Sequence, residues 1–259
     1  MSLDERVAIV TGASSGIGRG IARRLAAEGA SVVVADRRRT PKQGTHYDTG
    51  VTTPTDELLR DAFGVESRFV ETDVTEDGDV ETLVGAVTDE FGRLDVLVNN
   101  AGILVPGTSQ ELSLSDWQRV VDVNLTGPFL AAKHAIPWLV ESKAGRIVNV
   151  ASINARFGGS GPAYSATKAG VVNLTRDLAT ELAPSGVTVN VVLPGVVKTP
   201  MQDVNDEETM ERQAAATPLP RLGEPGDVAN AVAFFADDRA EWVTGAELVV
   251  DGGYLAGGY

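Results

Sequence analysis

Thr11-Gly-Ala-Ser-Ser-Gly-Ile-Gly18 is the stretch on which the fold turns. Glycines at 12, 16 and 18 permit a tight turn, a close backbone approach to a diphosphate and close packing of the following helix. A glycine pattern alone is weak evidence, so its surroundings have to supply the rest. Upstream, Arg6–Val10 is a short apolar run of the kind that forms a buried strand. Downstream, Ile17–Glu28 places Ile17, Ile21, Ala22, Leu25 and Ala26 on one helical stripe, and Gly29 closes it. A turn between strand and helix points the free N–H groups of the helix start at phosphate charge. Gly12, Ser14, Ser15, Gly16, Ile17 and Gly18 are therefore candidate dinucleotide contacts.

Ser31–Ala35 reads as the second strand, and Asp36 stands at its end. A carboxylate there accepts hydrogen bonds from the adenosine ribose hydroxyls and repels a 2′-phosphate, which favours NAD over NADP. Arg37, Arg38 and Arg39 follow at once, and a guanidinium among them could bind that phosphate instead. Asp36 lies closest to the ribose, so NAD is the expected cofactor.

The same rhythm runs to the end of the chain. Arg68–Glu71, Val96–Val98, Arg146–Val150, Val187–Val192 and Glu247–Val250 read as further strands. Helical patterns at Thr55–Phe63, Asp77–Glu90, Ser115–Val140, Tyr164–Leu182 and Pro225–Phe235 separate most of them. Continuous apolar strands alternating with helices imply a parallel sheet covered on both faces. The expected fold is α/β: a Rossmann-type doubly wound sheet of about seven parallel strands, in a single domain spanning 1–259. Thr40–Pro54 breaks the pattern with prolines, glycines and no apolar period. It reads as a tolerated surface insertion, or else as a flap near the adenosine end or a contact with another subunit.

Composition sets outer limits. Hydrophobic residues form 43% of the chain, enough for a substantial core, and there are no cysteines, which excludes thiolate chemistry and disulfides. The formal charge of -14 argues against nucleic acid, whose phosphates need a basic surface. Lys42, Lys133, Lys143, Lys168 and Lys198 are the only lysines, so arginine makes up the rest of the 22 basic side chains. An acidic, lysine-poor surface suits either concentrated salt or an ordinary acidic cytoplasmic enzyme. No stretch approaches a membrane span, and Met1–Arg6 does not read as a secretory signal; a cytoplasmic location is expected. His46 and His134 lie far apart without ligand-spaced partners, so no metal is implied.

Tyr164-Ser-Ala-Thr-Lys168 opens a helix after Gly158-Gly-Ser-Gly-Pro162. Tyrosine and lysine at i and i+4 share one helical face. A free tyrosine titrates near pH ~10. A neighbouring ammonium and a positive nicotinamide would bring Tyr164 towards working pH. Ser152, ending the fifth strand, could donate to a carbonyl oxygen on which charge develops. Asn154 and Arg156 follow it closely and are candidate substrate contacts. Arg156 could meet a substrate carboxylate or phosphate, or be paired at a subunit interface.

With these residues in place the sequence resembles the short-chain dehydrogenase/reductase family in its single-domain form, over essentially the whole chain. Thr11–Gly18 resembles the cofactor turn, and Asp73-Val74 the adenine contact after the third strand. Asn99-Asn100-Ala101-Gly102 resembles the turn after the fourth strand. Asn124 resembles the helix-borne asparagine, and Ser152, Tyr164 and Lys168 the catalytic set. Pro194-Gly195-Val196-Val197-Lys198-Thr199-Pro200-Met201 resembles the segment that receives the nicotinamide carboxamide, through the backbone around Val197 and the hydroxyl of Thr199. The resemblance implies that Tyr164 takes the alcohol proton and Ser152 fixes the substrate oxygen. It further implies that Lys168 holds the nicotinamide ribose and Asn124 holds a water that passes the proton outward. The expected substrate is a small sugar, polyol or sugar acid, with a 3-oxoacyl thioester reductase as the alternative and a non-catalytic dinucleotide sensor as a remote one. The serine–tyrosine–lysine set speaks against the sensor. The acidic Met201–Thr217 stretch reads as a solvated helix face or a lid. The glycine-rich tail Val249–Tyr259 is expected to pack on a partner subunit, in a homotetramer or dimer.

Overall fold

In the computed structural model, residues 3–257 are described. All seven strands join one parallel sheet, in the order β3-β2-β1-β4-β5-β6-β7. The strands are β1 Val7–Thr11, β2 Ser31–Asp36, β3 Ser67–Glu71, β4 Val96–Asn99, β5 Arg146–Val150, β6 Thr188–Pro194 and β7 Glu247–Val250. The helices are α1 Gly16–Ala27, α2 Thr55–Phe63, α3 Asp77–Phe91, α4 Leu114–Val121, α5 Gly127–Glu141, α6 Pro162–Leu182, α7 Glu207–Ala216 and α8 Pro225–Ala236. No helix among the described residues is long and apolar enough to cross a membrane.

The period-2 pleat sorts the strand residues into two cores. Ala8, Val10, Val32, Val34, Val96, Val98, Val148 and Val150 face α1 and α8. Val7, Ile9, Val33, Leu97, Ile147 and Val189 face α3, α5 and α6. Burial on both faces explains why the strands read as unbroken apolar runs rather than alternating ones.

One departure from the sequence reading matters for the site. The single helix expected at Ser115–Val140 is interrupted by a π-helical turn, Asp122–Thr126, between α4 and α5. Pro128, near the start of α5, has no N–H, so the carbonyl of Asn124 four residues back loses its ordinary helical partner. π turns of this kind are frequent at functional sites, and this one carries Asn124 with a buried side chain. The acidic stretch, read as a solvated helix face or a lid, forms the helix α7, whose start Asp206 caps by accepting from the Thr209 N–H at 2.8 Å.

Candidate active site

The chain runs outward from β1 to β2 and β3, then returns across β1 to β4. The strand order reverses between β1 and β4, and in open α/β sheets ligands bind in the crevice at the carboxyl ends of such a pair. The glycine turn occupies that point. Gly12 has φ +65, and a Cβ on it would lie 2.9 Å from the Ala101 Cα. At Gly18 a Cβ would lie 2.2 Å from the Gly12 carbonyl oxygen, so only glycine permits this turn. Gly16 faces Thr199, whose Cβ would lie 3.3 Å from an added Cβ. This narrow, backbone-lined cleft fits a dinucleotide diphosphate.

Two threonines whose bracing role the sequence reading did not give hold the cleft together. Thr11 Oγ1 accepts from the N–H groups of Asn100 (3.0 Å) and Ala101 (3.1 Å), fastening the two strand ends. Asn100 Nδ2 donates to the Thr11 carbonyl at 2.9 Å. Thr55, fully buried at the start of α2, donates to the Ala13 carbonyl at 2.9 Å and braces the turn from the other side. Threonine at a strand end or helix start is common enough that neither stood out without the tertiary contacts.

Asp36 Oδ2 accepts the Ser14 N–H at 3.1 Å, which places the carboxylate beside the turn. Burial pushes its acid above the ordinary value, while N–H groups of Ser14, Arg37 and Arg38 pull the other way. Asp73 closes a local turn by accepting from Thr75 at 3.0 and 2.8 Å, and its other oxygen lies 3.3 Å from Arg37 Nε. Val74 packs against Gly127 at the start of α5. Past β6, Gly195 N donates to the Val250 carbonyl at 2.9 Å, and Val197 bridges to Gly223. These contacts anchor the 194–199 segment beside the cleft.

Ser152, Tyr164 and Lys168 converge on the opposite wall. Ser152 follows β5, and its hydroxyl hydrogen-bonds the Tyr164 side chain. Lys168 Nζ lies 5.6 Å from the Tyr164 ring centre and donates to the Val150 carbonyl at 3.0 Å. Asn124 Oδ1 accepts the Ile103 N–H at 2.8 Å and its Nδ2 donates to the Ile103 carbonyl at 2.9 Å. A Cβ on Gly102 would lie 3.4 Å from Asn124 Oδ1 and 3.5 Å from Lys168 Nζ, so all three meet at one point.

Electrostatics differ from the sequence reading in one respect. In the chain by itself burial dominates and pushes the Tyr164 phenol above its usual value, with only the Ser152 hydrogen bond pulling it down. Burial also lowers Lys168, to about 8. The lowering of Tyr164 expected from Lys168 is absent here. A bound positive charge has to supply it.

Two candidate substrate residues are committed elsewhere. Asn154 Oδ1 accepts from the hydroxyls of Ser152 (3.2 Å) and Ser160 (3.1 Å), which makes it a support for Ser152. Arg156 donates to Glu247 of β7 from Nε at 3.2 Å and from its terminal nitrogen at 2.9 Å. Arg176 shares the same carboxylate. Arg156 is thus paired within its own chain, a bond that forms because β7 lies next to the segment after β5.

The Thr40–Pro54 insertion reaches across to the other side of the cleft. Thr45 N donates to Asp203 Oδ1 at 2.9 Å, and Lys42 Nζ lies 3.5 Å from the Pro200 carbonyl. The tail folds back on its own chain: Leu219 N donates to the Gly252 carbonyl at 3.0 Å, and Tyr254 stacks on Phe157 with ring centres 6.1 Å apart. Gly258 and Tyr259 lie outside the described residues, as do Met1 and Ser2.

Comparison with known proteins agrees with this geometry. A family model described as enoyl-(acyl carrier protein) reductase matches residues 12–255. Cis-4-hydroxycyclohexanecarboxylate dehydrogenase of Sinomonas cyclohexanicum is 44% identical over 257 residues, covering 97% of either chain. A 3-oxoacyl-(acyl-carrier-protein) reductase of Vibrio cholerae serotype O1 is 37% identical over 254 residues, 98% of either chain. A solved structure from Burkholderia xenovorans, described as a short-chain dehydrogenase/reductase, superposes with a TM-score of 0.88 at 38% identity over 98% of both chains. The chain belongs to the short-chain dehydrogenase/reductase family. It is a nicotinamide-dependent oxidoreductase acting on CH–OH groups.

Proposed function

We propose that this enzyme uses NAD(H) to interconvert a small polar secondary alcohol and its ketone, the substrate being a sugar, polyol, sugar acid or similar ring-bearing hydroxy acid. The observation that carries the reaction is the convergence of the Ser152 hydroxyl, the Tyr164 phenol and the Lys168 ammonium, with Lys168 and Asn124 meeting beside Gly102. Asp36, fixed against the Ser14 N–H, supports NAD over NADP. Nicotinamide supplies the hydride acceptor or donor. Ser152 donates to the substrate oxygen, and Tyr164 takes the alcohol proton in oxidation or returns it in reduction. Lys168 holds the nicotinamide ribose, and Asn124 places a water through which the proton leaves. The cyclic hydroxy acid in the name of the Sinomonas relative favours a compact ring substrate.

A second reading, reduction of a 3-oxoacyl thioester with NADPH, is favoured by the name of the Vibrio relative. Absorbance at the reduced-nicotinamide band separates the two. NAD⁺ and NADP⁺ would be offered sugars, polyols, sugar acids, cis-4-hydroxycyclohexanecarboxylate and 3-hydroxyacyl thioesters, in low and high salt. Turnover of a polar alcohol with NAD⁺ is the expected result; activity confined to thioesters with NADP⁺ would replace the first reading by the second.

The working unit we propose is a homotetramer in the cytoplasm. Trp242 is 97% exposed and Leu114 81%, with Phe129 and Trp138 on α5 and Phe234 on α8 also open. Two separate apolar faces suit two kinds of subunit contact. Light scattering should give four times the 27.1 kDa chain mass. A monomer in both low and high salt would refute it.

A further inference from the structure

Three consecutive arginines beside a ribose-facing carboxylate pose a problem for cofactor choice, because each guanidinium is a ready partner for a 2′-phosphate. Arg37 lies against Asp73, 3.3 Å away. Arg39 is withdrawn more firmly. Its Nε and a terminal nitrogen donate to the two oxygens of Asp56 at 3.1 and 2.7 Å, and the same terminal nitrogen lies 2.9 Å from Glu57. Two parallel bonds between a guanidinium and a carboxylate form the strongest and most directional of such pairings.

The acceptor is held as firmly as the donor. Asp56 is 2% exposed and also receives Arg60 at 3.1 Å. Burial works to raise its acid, yet the two arginines outweigh this and leave it below the usual carboxylate value. Acids are ordinary in a first helical turn, where they complement the dipole, but that role is performed in solvent and needs neither burial nor a bidentate partner.

The local sequence explains how Asp56 comes to stand there. Thr55 follows the insertion and opens α2, donating to the Ala13 carbonyl and accepting from Arg19 at 2.8 Å. This pins the first turn of α2 to the glycine-rich turn. On the other side, Ser14 Oγ donates to the Arg38 carbonyl at 2.7 Å, which holds the arginine run against the same turn. Arg39 thus leaves the backbone close to the ribose-facing edge, and its side chain is drawn onto the next two residues of α2.

We infer that Asp56, seconded by Glu57, is a specificity-determining positioning residue: it captures Arg39 and so withholds from the ribose edge beside Asp36 a guanidinium that would bind a 2′-phosphate. The inference rests on the NAD reading above. Arg39 is in effect a dormant phosphate-binding group, and the identity of two side chains on α2 keeps it so.

Fluorescence titration of the full chain with NADH and NADPH tests this without any substrate. Asp56→Asn combined with Glu57→Gln keeps side-chain size while releasing Arg39. NADPH affinity should rise at least tenfold while NADH affinity changes by less than about threefold, and adding Arg39→Ala should abolish the gain. A merely structural Asp56 would weaken both dinucleotides together, which would overturn the inference, as would a gain that survives Arg39→Ala. Arg39→Ala alone serves as a second variant, because Asp56 keeps Arg60 as a partner. It should leave NADPH affinity unchanged, and a loss there would mean that Arg39 already reaches the phosphate. Failure of the unmodified chain to bind either dinucleotide would instead overturn the nicotinamide reading and this inference with it.

Discussion

Tyr164→Phe is expected to lower kcat in the oxidative direction by about 10³-fold, within the range general acid–base groups contribute, while leaving NADH affinity within about twofold. The phenyl ring keeps its place at the start of α6, so the backbone around Ser152 and Lys168 has no reason to move. What disappears is the one hydroxyl that hydrogen-bonds Ser152 and can exchange a proton with the substrate oxygen. The wild-type pH profile should carry the same information. Burial holds the Tyr164 phenol above its ordinary value in the free chain, so the proton-accepting form is scarce at neutrality and oxidation should accelerate as pH rises. Binding of a positively charged nicotinamide stabilises the phenolate, so the limb for kcat should lie at lower pH than the limb for kcat/KM of NAD⁺, which reports the cofactor-free chain. Steady-state rates from pH 6 to 10, with NAD⁺ varied at saturating alcohol, check both statements. Retention of a tenth or more of the wild-type rate by the phenylalanine variant would shift proton transfer to another group, with Ser152 the nearest.

Much of this site could be read from the chain because its residues are tied to local backbone. Glycines 12, 16 and 18 mark the turn because the backbone there tolerates no Cβ, and Asp36 is identified by ending the strand that follows. Tyr164 and Lys168 share a helical face by spacing alone. The missing parts depend on contacts distant in sequence. Thr11 fastens residues 100 and 101, and Thr55 reaches Ala13, yet neither differs in sequence from an ordinary threonine at an element end. Helical periodicity spoke for one continuous helix over Ser115–Val140. Only Pro128 hinted that the carbonyl of Asn124 would lack a partner and the ladder would widen there. The intrachain partner of Arg156 was hidden for a related reason: β7 is nearly a hundred positions away, and the Glu247 carboxylate that pairs with its guanidinium appears only when the sheet is assembled.

Lys168→Met should abolish most of the activity and yet make the cofactor-free chain more stable at neutral pH. Lys168 is 4% exposed, and burial lowers its ammonium to about 8, whereas an unfolded lysine titrates near ~10.4. Between those two values the unfolded chain carries a proton that the folded chain has released, so wild-type stability rises with pH across that interval. Below pH 8 both states are protonated and the folded state bears the full cost of enclosing the charge, on the order of 3 kcal/mol from the pKa difference. Methionine has similar length and no charge, so it removes that cost. It also leaves the Val150 carbonyl without the donor it now has at 3.0 Å, which returns about 1 kcal/mol. The variant should therefore exceed wild type by about 2 kcal/mol at pH 7, with the advantage shrinking and then reversing as pH approaches 10. Tyr164 titrates in both proteins and its contribution largely cancels in the difference. Urea unfolding of both chains at pH 7 and pH 10 is the deciding measurement. An equal gap at the two values, or a less stable variant at pH 7, would mean that Lys168 is well solvated in the folded chain. A gap that closes would mean that the fold carries a buried ammonium at a net cost in stability, which is what a group retained for binding a ribose and steering a proton, rather than for packing, should look like.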